Sequence, residues 1–155
     1  MKLYPNSSHE FTDSKILNDY LLGGNAVVVL EAPSGKKHTY KYSRPKNADS
    51  FPDDVRFVYA LHDQVKELYI GMIELDKFRL TKHSRFLTDT EIVKGANYIE
   101  NLRHNQEFLD KSPMKIYHMG TCSRCGRELT DEKSIIRGFG PKCYKKLRGD
   151  AKQCG

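Results

Sequence analysis

Residues 118–127 read His-Met-Gly-Thr-Cys-Ser-Arg-Cys-Gly-Arg, and a third cysteine, Cys143, ends the stretch Gly-Phe-Gly-Pro-Lys-Cys at residues 138–143. Two cysteines separated by two residues, in a turn closed by a glycine, direct both sulfurs at one metal ion. Cys143 supplies a third thiol, and the glycines before it permit the tight turns that return it to the first pair. Spacing alone leaves the fourth ligand open, because His118 and Cys154 both lie close enough along the chain. The pattern predicts a small zinc module.

The composition is that of a polar globular protein. The chain has 155 residues, of which 38% are hydrophobic and 30% charged, and its mean hydropathy is −0.66. No apolar run approaches the roughly 20 residues of a membrane span, and residues 1–6 lack an apolar signal core, so we expect a cytoplasmic protein without membrane contact. In a reducing compartment, clustered cysteines favour metal binding over disulfides.

The sequence offers little for catalysis. No Ser/His/Asp, Cys/His or paired-carboxylate arrangement stands out, and the carboxylate nearest the knuckle cysteines, Glu128, lacks the His-x-Glu context of zinc deaminases. Four protein ligands would close the zinc shell and leave no position for water, which is the arrangement of structural sites. We therefore predict one structural zinc ion and no enzymatic activity.

Hydrophobic periodicity predicts an α+β fold: an antiparallel sheet of four to five strands, two main helices and a C-terminal zinc-knuckle module. We expect an α+β domain over 1–113 and a zinc-binding module over 114–155 packed on it. The predicted sheet strands are 25–31, 38–42, 55–61, 68–73 and 78–81, and a further short strand, 114–118, leads into the knuckle.

Helix signals are clearest at the ends of the predicted helices. The first helix, 14–22, is capped by Thr12 or Asp13 and stopped by two glycines. The second begins at a capping box formed by Thr88 and Glu91 and continues to about residue 109. Shorter helical segments are predicted at 130–136 and at 141–147, where a proline occupies the first helical position.

Basic residues are segregated along the chain, which has a net charge of +6. Such tracts attract phosphate groups without regard to sequence and in a salt-dependent manner. The module and its tail contain the largest group, and two smaller groups precede it. The candidate nucleic-acid-binding residues are Arg124, Arg127, Lys142, Lys145, Lys146 and Arg148, then Lys36 and Lys37, then Arg79, Lys82 and Arg85.

Aromatic residues other than tryptophan are plentiful, with nine tyrosines and seven phenylalanines. Exposed aromatic rings can stack on unpaired bases. Most of these residues, however, fall within predicted strands and helices, where core packing is the usual role. Packing in the core is therefore predicted for Tyr40, Phe57, Tyr59, Tyr69 and Tyr98.

The chain resembles a family of small phage and prophage proteins that end in a zinc-binding domain of unknown function. The resemblance extends over most of the chain and is most specific from His118 to Cys143. It is carried by residues 21–26, 34–42, 69–73 and 78–85, and by Cys122-Ser-Arg-Cys125-Gly-Arg-Glu-Leu-Thr130, Ser134-Ile135 and Gly138-Phe-Gly-Pro-Lys-Cys143. It implies a zinc site of His118, Cys122, Cys125 and Cys143, with His118 preferred to Cys154, and a phage setting.

Two functions fit these observations. The first is a phage accessory protein in the host cytoplasm that binds nucleic acid, of either type, through its basic zinc module. The alternative is a protein-interaction module that inhibits or redirects a host protein, because basic surfaces can mimic or block nucleic-acid surfaces.

Overall fold

The computed structural model describes residues 9–62 and 66–147, without the side chains of Ala48, Lys146 and Leu147. Within these ranges the chain forms one six-stranded antiparallel sheet with five α-helices, which confirms the predicted α+β class. The strands are β1 (Asn25–Glu31), β2 (Lys37–Ser43), β3 (Arg56–His62), β4 (Lys66–Glu74), β5 (Lys77–Leu80) and β6 (Lys115–His118), in the spatial order β5-β4-β3-β2-β1-β6. The helices are α1 (Ser14–Leu21), α2 (Glu91–His104), α3 (Gln106–Lys111), α4 (Glu132–Arg137) and α5 (Pro141–Leu147).

The strands follow their sequence signals closely, and each strand from β1 to β4 pairs with the next along the chain. β1 has the predicted bounds, because its apolar run Ala-Val-Val-Val-Leu, with three β-branched valines, suits a strand buried on both faces. The β1–β2 hairpin turns at Gly35, whose φ of +91° lies in the region that favours glycine. The sixth strand is the short one that leads into the knuckle.

β6 joins the sheet beside β1, with Ile116 opposite Leu30 and His118 opposite Val28. The segment assigned to the C-terminal module therefore begins with an edge strand of the main sheet. The domain boundary at 113/114 remains a prediction. Strand β6, on the C-terminal side of this boundary, is hydrogen-bonded to β1 on the N-terminal side. None of the helices in the described ranges has the length and apolar character needed to cross a bilayer.

The start of α1 is confirmed, and that of α2 is corrected. The Asp13 carboxylate accepts a hydrogen bond from the Ile16 N–H at 3.0 Å, as an N-cap residue does. The predicted capping box at Thr88 is wrong: Thr90 caps α2, and its hydroxyl accepts from the Val93 N–H at 3.4 Å. Thr90 directly precedes the first helical residue, so its oxygen reaches the free N–H groups of the first turn.

The single helix predicted to run to residue 109 is also wrong. α2 ends at His104, and Asn105 adopts an extended conformation with φ −145° and ψ 107°. The Asn105 side chain accepts a hydrogen bond from the Phe108 N–H at 3.0 Å and so starts α3 as a new helix. An asparagine that competes for backbone donors is thus enough to divide a continuous apolar pattern.

The core lies between the sheet and the layer formed by α1 and α2. Tyr40 is fully buried there, and its hydroxyl donates to the Ile92 carbonyl at the start of α2 over 2.8 Å. Leu17 and Tyr20 of α1 and Ile99 of α2 are likewise inaccessible to solvent. This packing fixes α1 against the beginning of β1, where the cysteine module attaches.

A buried arginine ties three elements together at the other end of the helix layer. The Arg103 side chain is fully buried, and its guanidinium donates to Glu100 at 2.7 and 3.0 Å, to Asp76 at 2.8 Å and to the Asn18 side chain at 2.6 Å. Those partners belong to α2, the β4–β5 turn and α1 respectively. The Arg103 guanidinium holds the pKa of Asp76 below its usual range. Arg103 therefore joins both main helices to the sheet.

Candidate metal centre

Three cysteine thiols converge where the knuckle meets α5. The Sγ atoms of Cys122, Cys125 and Cys143 all lie within 4.8 Å of one another. Zinc–sulfur bonds of about 2.3 Å in a tetrahedron place sulfurs about 3.8 Å apart, so small movements would bring these three onto one ion. Thiolates are the donors that soft and borderline metal ions prefer. The donor set and spacing therefore fit a metal ion, with three ligands from the described residues.

The knuckle, residues 122–127, is a short turn closed by backbone hydrogen bonds. Cys122 N–H donates to the Arg127 carbonyl at 2.8 Å, and Gly126 N–H donates to the Cys122 carbonyl at 2.9 Å. Gly126 has a φ of +76°, where most residues with a side chain would be strained. This turn places the first two cysteines on the same side of the chain.

Backbone N–H groups surround one of the sulfurs. The Sγ of Cys122 accepts from the N–H groups of Arg124, Cys125 and Gly140 at 3.4, 3.5 and 3.4 Å. Burial opposes ionisation of Cys122, but these donors outweigh it and lower the pKa of the thiol. Burial and the neighbouring sulfurs raise the pKa of Cys143 to about 12. Three thiolates this close need a cation, and a bound metal ion would supply it.

His118 is not part of this group of three. Its Nδ1 accepts a hydrogen bond from the Gly120 N–H at 2.9 Å, so the proton lies on Nε2, which donates to the Ile135 carbonyl at 2.6 Å. The ring stacks on His9 with centroids 4.9 Å apart and is 1% exposed. Burial lowers the pKa of His118 to about 4, the Ile135 carbonyl opposing and His9 adding to the shift. Ligation through either nitrogen would require one of these two bonds to break.

The module is held to the sheet through Ser123. Asn25 N–H donates to the Ser123 carbonyl at 2.6 Å, and Ser123 N–H donates to the Gly138 carbonyl at 2.9 Å. The Ser123 hydroxyl also donates to the Tyr20 carbonyl of α1. Gly23 passes so close to Ser123 that a side chain there would collide with it. Ser123, a small residue of the knuckle, thus connects α1, β1 and the loop between α4 and α5.

The predicted phosphate-binding residues of the module lie mostly at its surface. Lys142 and Lys145 of α5 are exposed, as is Arg127, whereas Arg124 is half-buried. Of the remaining two, the side chain of Lys146 and all of Arg148 lie outside the described residues, as does Cys154.

The two other basic tracts lie elsewhere on the sheet. Lys36 and Lys37 flank the β1–β2 turn and pair with Glu91 at 2.6 Å and Glu31 at 3.8 Å. Arg79 is in β5, at the opposite edge of the sheet from β6, and the exposed residues Lys82 and Arg85 follow it. Lys37 is in β2, three interstrand steps of about 4.8 Å from β5, so roughly 14 Å separates these two strands. Among the described residues, these two tracts therefore lie on strands that are not adjacent.

Sequence comparison finds one family match, over a short segment, and no known function. A family of unknown function (DUF6011) matches residues 114–148, a segment that begins before β6 and includes all three clustered cysteines. The match extends over less than a quarter of the chain. No curated protein and no solved structure matches the chain.

Proposed function

We propose that this chain is a zinc protein that binds nucleic acid through the basic surface of its cysteine module and has no catalysis of its own. The observation that carries the proposal is the composition of α5. In this helix Cys143 lies between two exposed lysines, Lys142 and Lys145, and the helix contains no acidic residue. Holding the Cys143 sulfur on an ion would fix the orientation of the neighbouring lysines.

The ion itself would be structural. Cys122, Cys125 and Cys143 would hold it, and it would supply a cross-link between the knuckle and α5. Apparent zinc-binding free energies in small domains are on the order of 10 kcal/mol, comparable with the stability of a whole domain. Beyond β6 the described part of the module has few large buried apolar side chains, chiefly Leu129 and Phe139, so such a cross-link would matter to it.

The fourth ligand is a choice between His118 and Cys154. The resemblance to the phage family supports His118. The hydrogen bonds of both its ring nitrogens, to Gly120 and to the Ile135 carbonyl, favour Cys154. A closed shell of four protein ligands leaves no position for a reacting water, which supports the absence of catalysis.

Charge reversal tests the proposed surface. Labelled DNA and RNA oligonucleotides, single-stranded and duplex, are titrated with protein at low and moderate salt while anisotropy is recorded. The triple variant Lys142→Glu/Lys145→Glu/Lys146→Glu should abolish binding. The triple Lys15→Glu/Lys94→Glu/Lys111→Glu is the matched control, since it changes the net charge equally on exposed positions of α1, α2 and α3.

The wild-type affinity should fall steeply with salt, by about one unit of log–log slope per phosphate contact. Unchanged binding by the α5 triple variant, or equal loss in both triple variants, would contradict the proposed surface. Loss confined to the α5 variant would support it.

The alternative is a module that binds a host protein in a phage-infected cell. Its support is the resemblance and one exposed large apolar side chain in the described part of the module, Ile136 of α4, which is 53% accessible. A host-lysate pull-down after nuclease treatment distinguishes the two, because a stoichiometric protein partner lost on Ile136→Glu would favour the alternative.

A further inference from the structure

The two faces of the sheet differ in what lies against them. Tyr40 bonds to the Ile92 carbonyl of α2 and is paired with Ala60 of β3, so the Ala60 side of β3 faces the helices. Side chains alternate along a strand. Phe57 and Tyr59 therefore point to the opposite face, where both are half-buried instead of buried. Both residues were predicted to pack in the core, but they lie on the other face of the sheet and are partly exposed to solvent.

Four aromatic rings form a continuous row on that face, hereafter the aromatic row: Phe51, Phe57, Tyr59 and Tyr69. The centroid distances are 5.4 Å for Phe51–Phe57, 5.8 Å for Phe57–Tyr69 and 5.7 Å for Tyr59–Tyr69. Each pair meets edge to face, with interplanar angles of 83°, 88° and 69°. All four rings retain partial solvent exposure. The row thus presents several differently oriented ring surfaces.

A β-bulge creates the centre of the row. Val58 is opposite Gly71, but the register shifts at the next residue, so that Tyr59 is opposite Tyr69 instead of Ile70. Ile70 is fully buried as a result, and two tyrosines lie side by side on the open face. The hydroxyl groups of Tyr69 and Thr81 are 3.3 Å apart and hydrogen-bonded, which restrains the Tyr69 ring.

Cationic side chains flank the row on both sides. On β2, Lys41 is directly opposite Tyr59 and so shares its face. On β5, Arg79 is opposite Met72, which is itself opposite Phe57, so Arg79 lies on the same face. Beyond β5 the backbone N–H of Arg85 donates to the Tyr69 carbonyl at 2.9 Å, which places a second exposed arginine beside the row.

The flanking cations are accessible to an anionic partner. Lys41 pairs with Glu67 at 2.6 Å and Arg79 with Glu74 at 3.0 Å, and all four side chains remain 26–53% exposed. Ion pairs exposed to this degree contribute little to stability, so a phosphate can compete for the cations. A strip of rings between two cationic borders complements a chain of bases linked by phosphates.

We propose that the aromatic row binds the unpaired bases of a single-stranded nucleic acid, with phosphates along Lys41, Arg79 and Arg85. The proposal rests on the function proposed above and specifies its substrate class. Base–aromatic stacking tolerates any sequence, and aromatic side chains on an open sheet face are one known way to present it. A duplex keeps its bases stacked internally and cannot use the row.

Affinity measurements with matched variants test the row. We expect Tyr59→Leu and Tyr69→Leu each to weaken binding of a single-stranded oligonucleotide by about 5-fold to 150-fold, the usual effect of losing one stacking ring. Tyr59→Phe and Tyr69→Phe keep the ring and should change the affinity less than about 2-fold. Duplex binding should be unaltered in all four variants. Circular dichroism and urea unfolding verify that each variant is folded.

A fluorescence readout reports stacking directly. The chain has no tryptophan, so Tyr59→Trp introduces a single tryptophan into the row, and its emission can be excited selectively over that of the tyrosines. We expect this variant to bind the oligonucleotide normally and its fluorescence to be quenched on binding. Tyr98→Trp is the control, because Tyr98 packs on Phe108 in the helix layer and should report no quenching.

The outcomes separate this inference from the proposed function. If the α5 charge reversal abolishes binding while the leucine variants and Tyr59→Trp show no change, the row is not the base-binding surface and the proposed function stands. If the leucine variants weaken binding while the α5 reversal does not, the row is supported and the module surface is wrong. A wild-type chain that binds no oligonucleotide overturns both.

Discussion

The backbone N–H of Gly140 donates a 3.4 Å hydrogen bond to the Sγ of Cys122. Gly140 directly precedes α5, the helix that contains Cys143, so this bond connects the knuckle to the returning helix at a ligand atom. N–H groups that point at a sulfur favour its thiolate form, the form that binds metal.

Loss of one clustered thiol should remove the metal. We expect the wild type to contain one zinc ion per chain and Cys125→Ser to contain none, since two thiols cannot hold the ion at comparable affinity. Elemental analysis of dialysed protein measures this. Limited proteolysis should then show accelerated cleavage within residues 119–147 in Cys125→Ser and in chelator-treated wild type, but not within β1–β5. Metal retained at full stoichiometry in Cys125→Ser would contradict the assignment.

The fourth ligand can be decided with two variants. We expect Cys154→Ser to lower zinc affinity by roughly 100-fold or more. We expect His118→Ala to lower it by less than the roughly 10-fold that loss of a hydrogen bond to a ligand costs, because His118 bonds to Gly120 and Ile135 and to none of the clustered thiols. Competition with a chromogenic chelator measures both affinities. The reverse order would assign His118 as the ligand, as the family resemblance implies.

His118 should make stability depend on pH in mild acid. Burial lowers its pKa from 6.5 to about 4 in the folded chain. Between these values the unfolded chain binds the proton and the folded chain does not, so the free energy of unfolding falls as pH falls, by up to about 3 kcal/mol. Urea unfolding at several pH values measures this slope, and His118→Gln, which cannot titrate, should flatten it. An equal slope in both proteins would exclude His118 as the cause.

The protonation of the ring can also be observed directly. Imidazole nitrogen shifts should identify a neutral ring with its proton on Nε2, because Nδ1 accepts from Gly120. The shifts should stay constant from neutral pH down to about pH 5.

Arg103 should be costly to replace. Truncation to Arg103→Ala leaves the buried side of Glu100 without its cation, and loss of one partner from a buried pair costs about 3–5 kcal/mol. Arg79→Ala, which removes an exposed pair with Glu74, should cost less than about 1 kcal/mol. Denaturant unfolding of both variants compares them directly, and similar losses would show that burial of Arg103 is unimportant.

Gly95 should not tolerate alanine, although it lies within α2. Alanine normally stabilises a helix by about 1 kcal/mol relative to glycine. A methyl group at this position would collide with the Tyr40 hydroxyl, which bonds to the Ile92 carbonyl. We expect a net loss of about 1–2 kcal/mol in Gly95→Ala, since overpacking outweighs the propensity gain. The exposed Asn101→Ala on the same helix should be neutral or stabilising.

Local signals account for the features that were predicted correctly. The β-branched run of β1 and the proline at the start of α5 define those elements to the residue. The predictions of a Thr88 cap and of a continuous second helix were wrong, because several nearby polar side chains could accept hydrogen bonds from the same backbone N–H groups. In the folded chain Thr90 and Asn105 accept them, and sequence spacing alone does not show which side chain will do so.

The sequence by itself determined that three thiols in one short segment could share an ion, and that alternating strands would form an antiparallel sheet. Only the tertiary structure decided that β6 joins β1, that His118 turns both nitrogens to backbone groups, and that Phe57, Tyr59 and Tyr69 line the face away from α2. The physical reason is that side-chain alternation along a strand defines two faces but does not say which of them will be covered. Which face is covered depends on where distant helices pack. Which residues share a face depends on a bulge at Ile70, which the neighbouring Gly71 suggests but whose position only the pairing with β3 fixes.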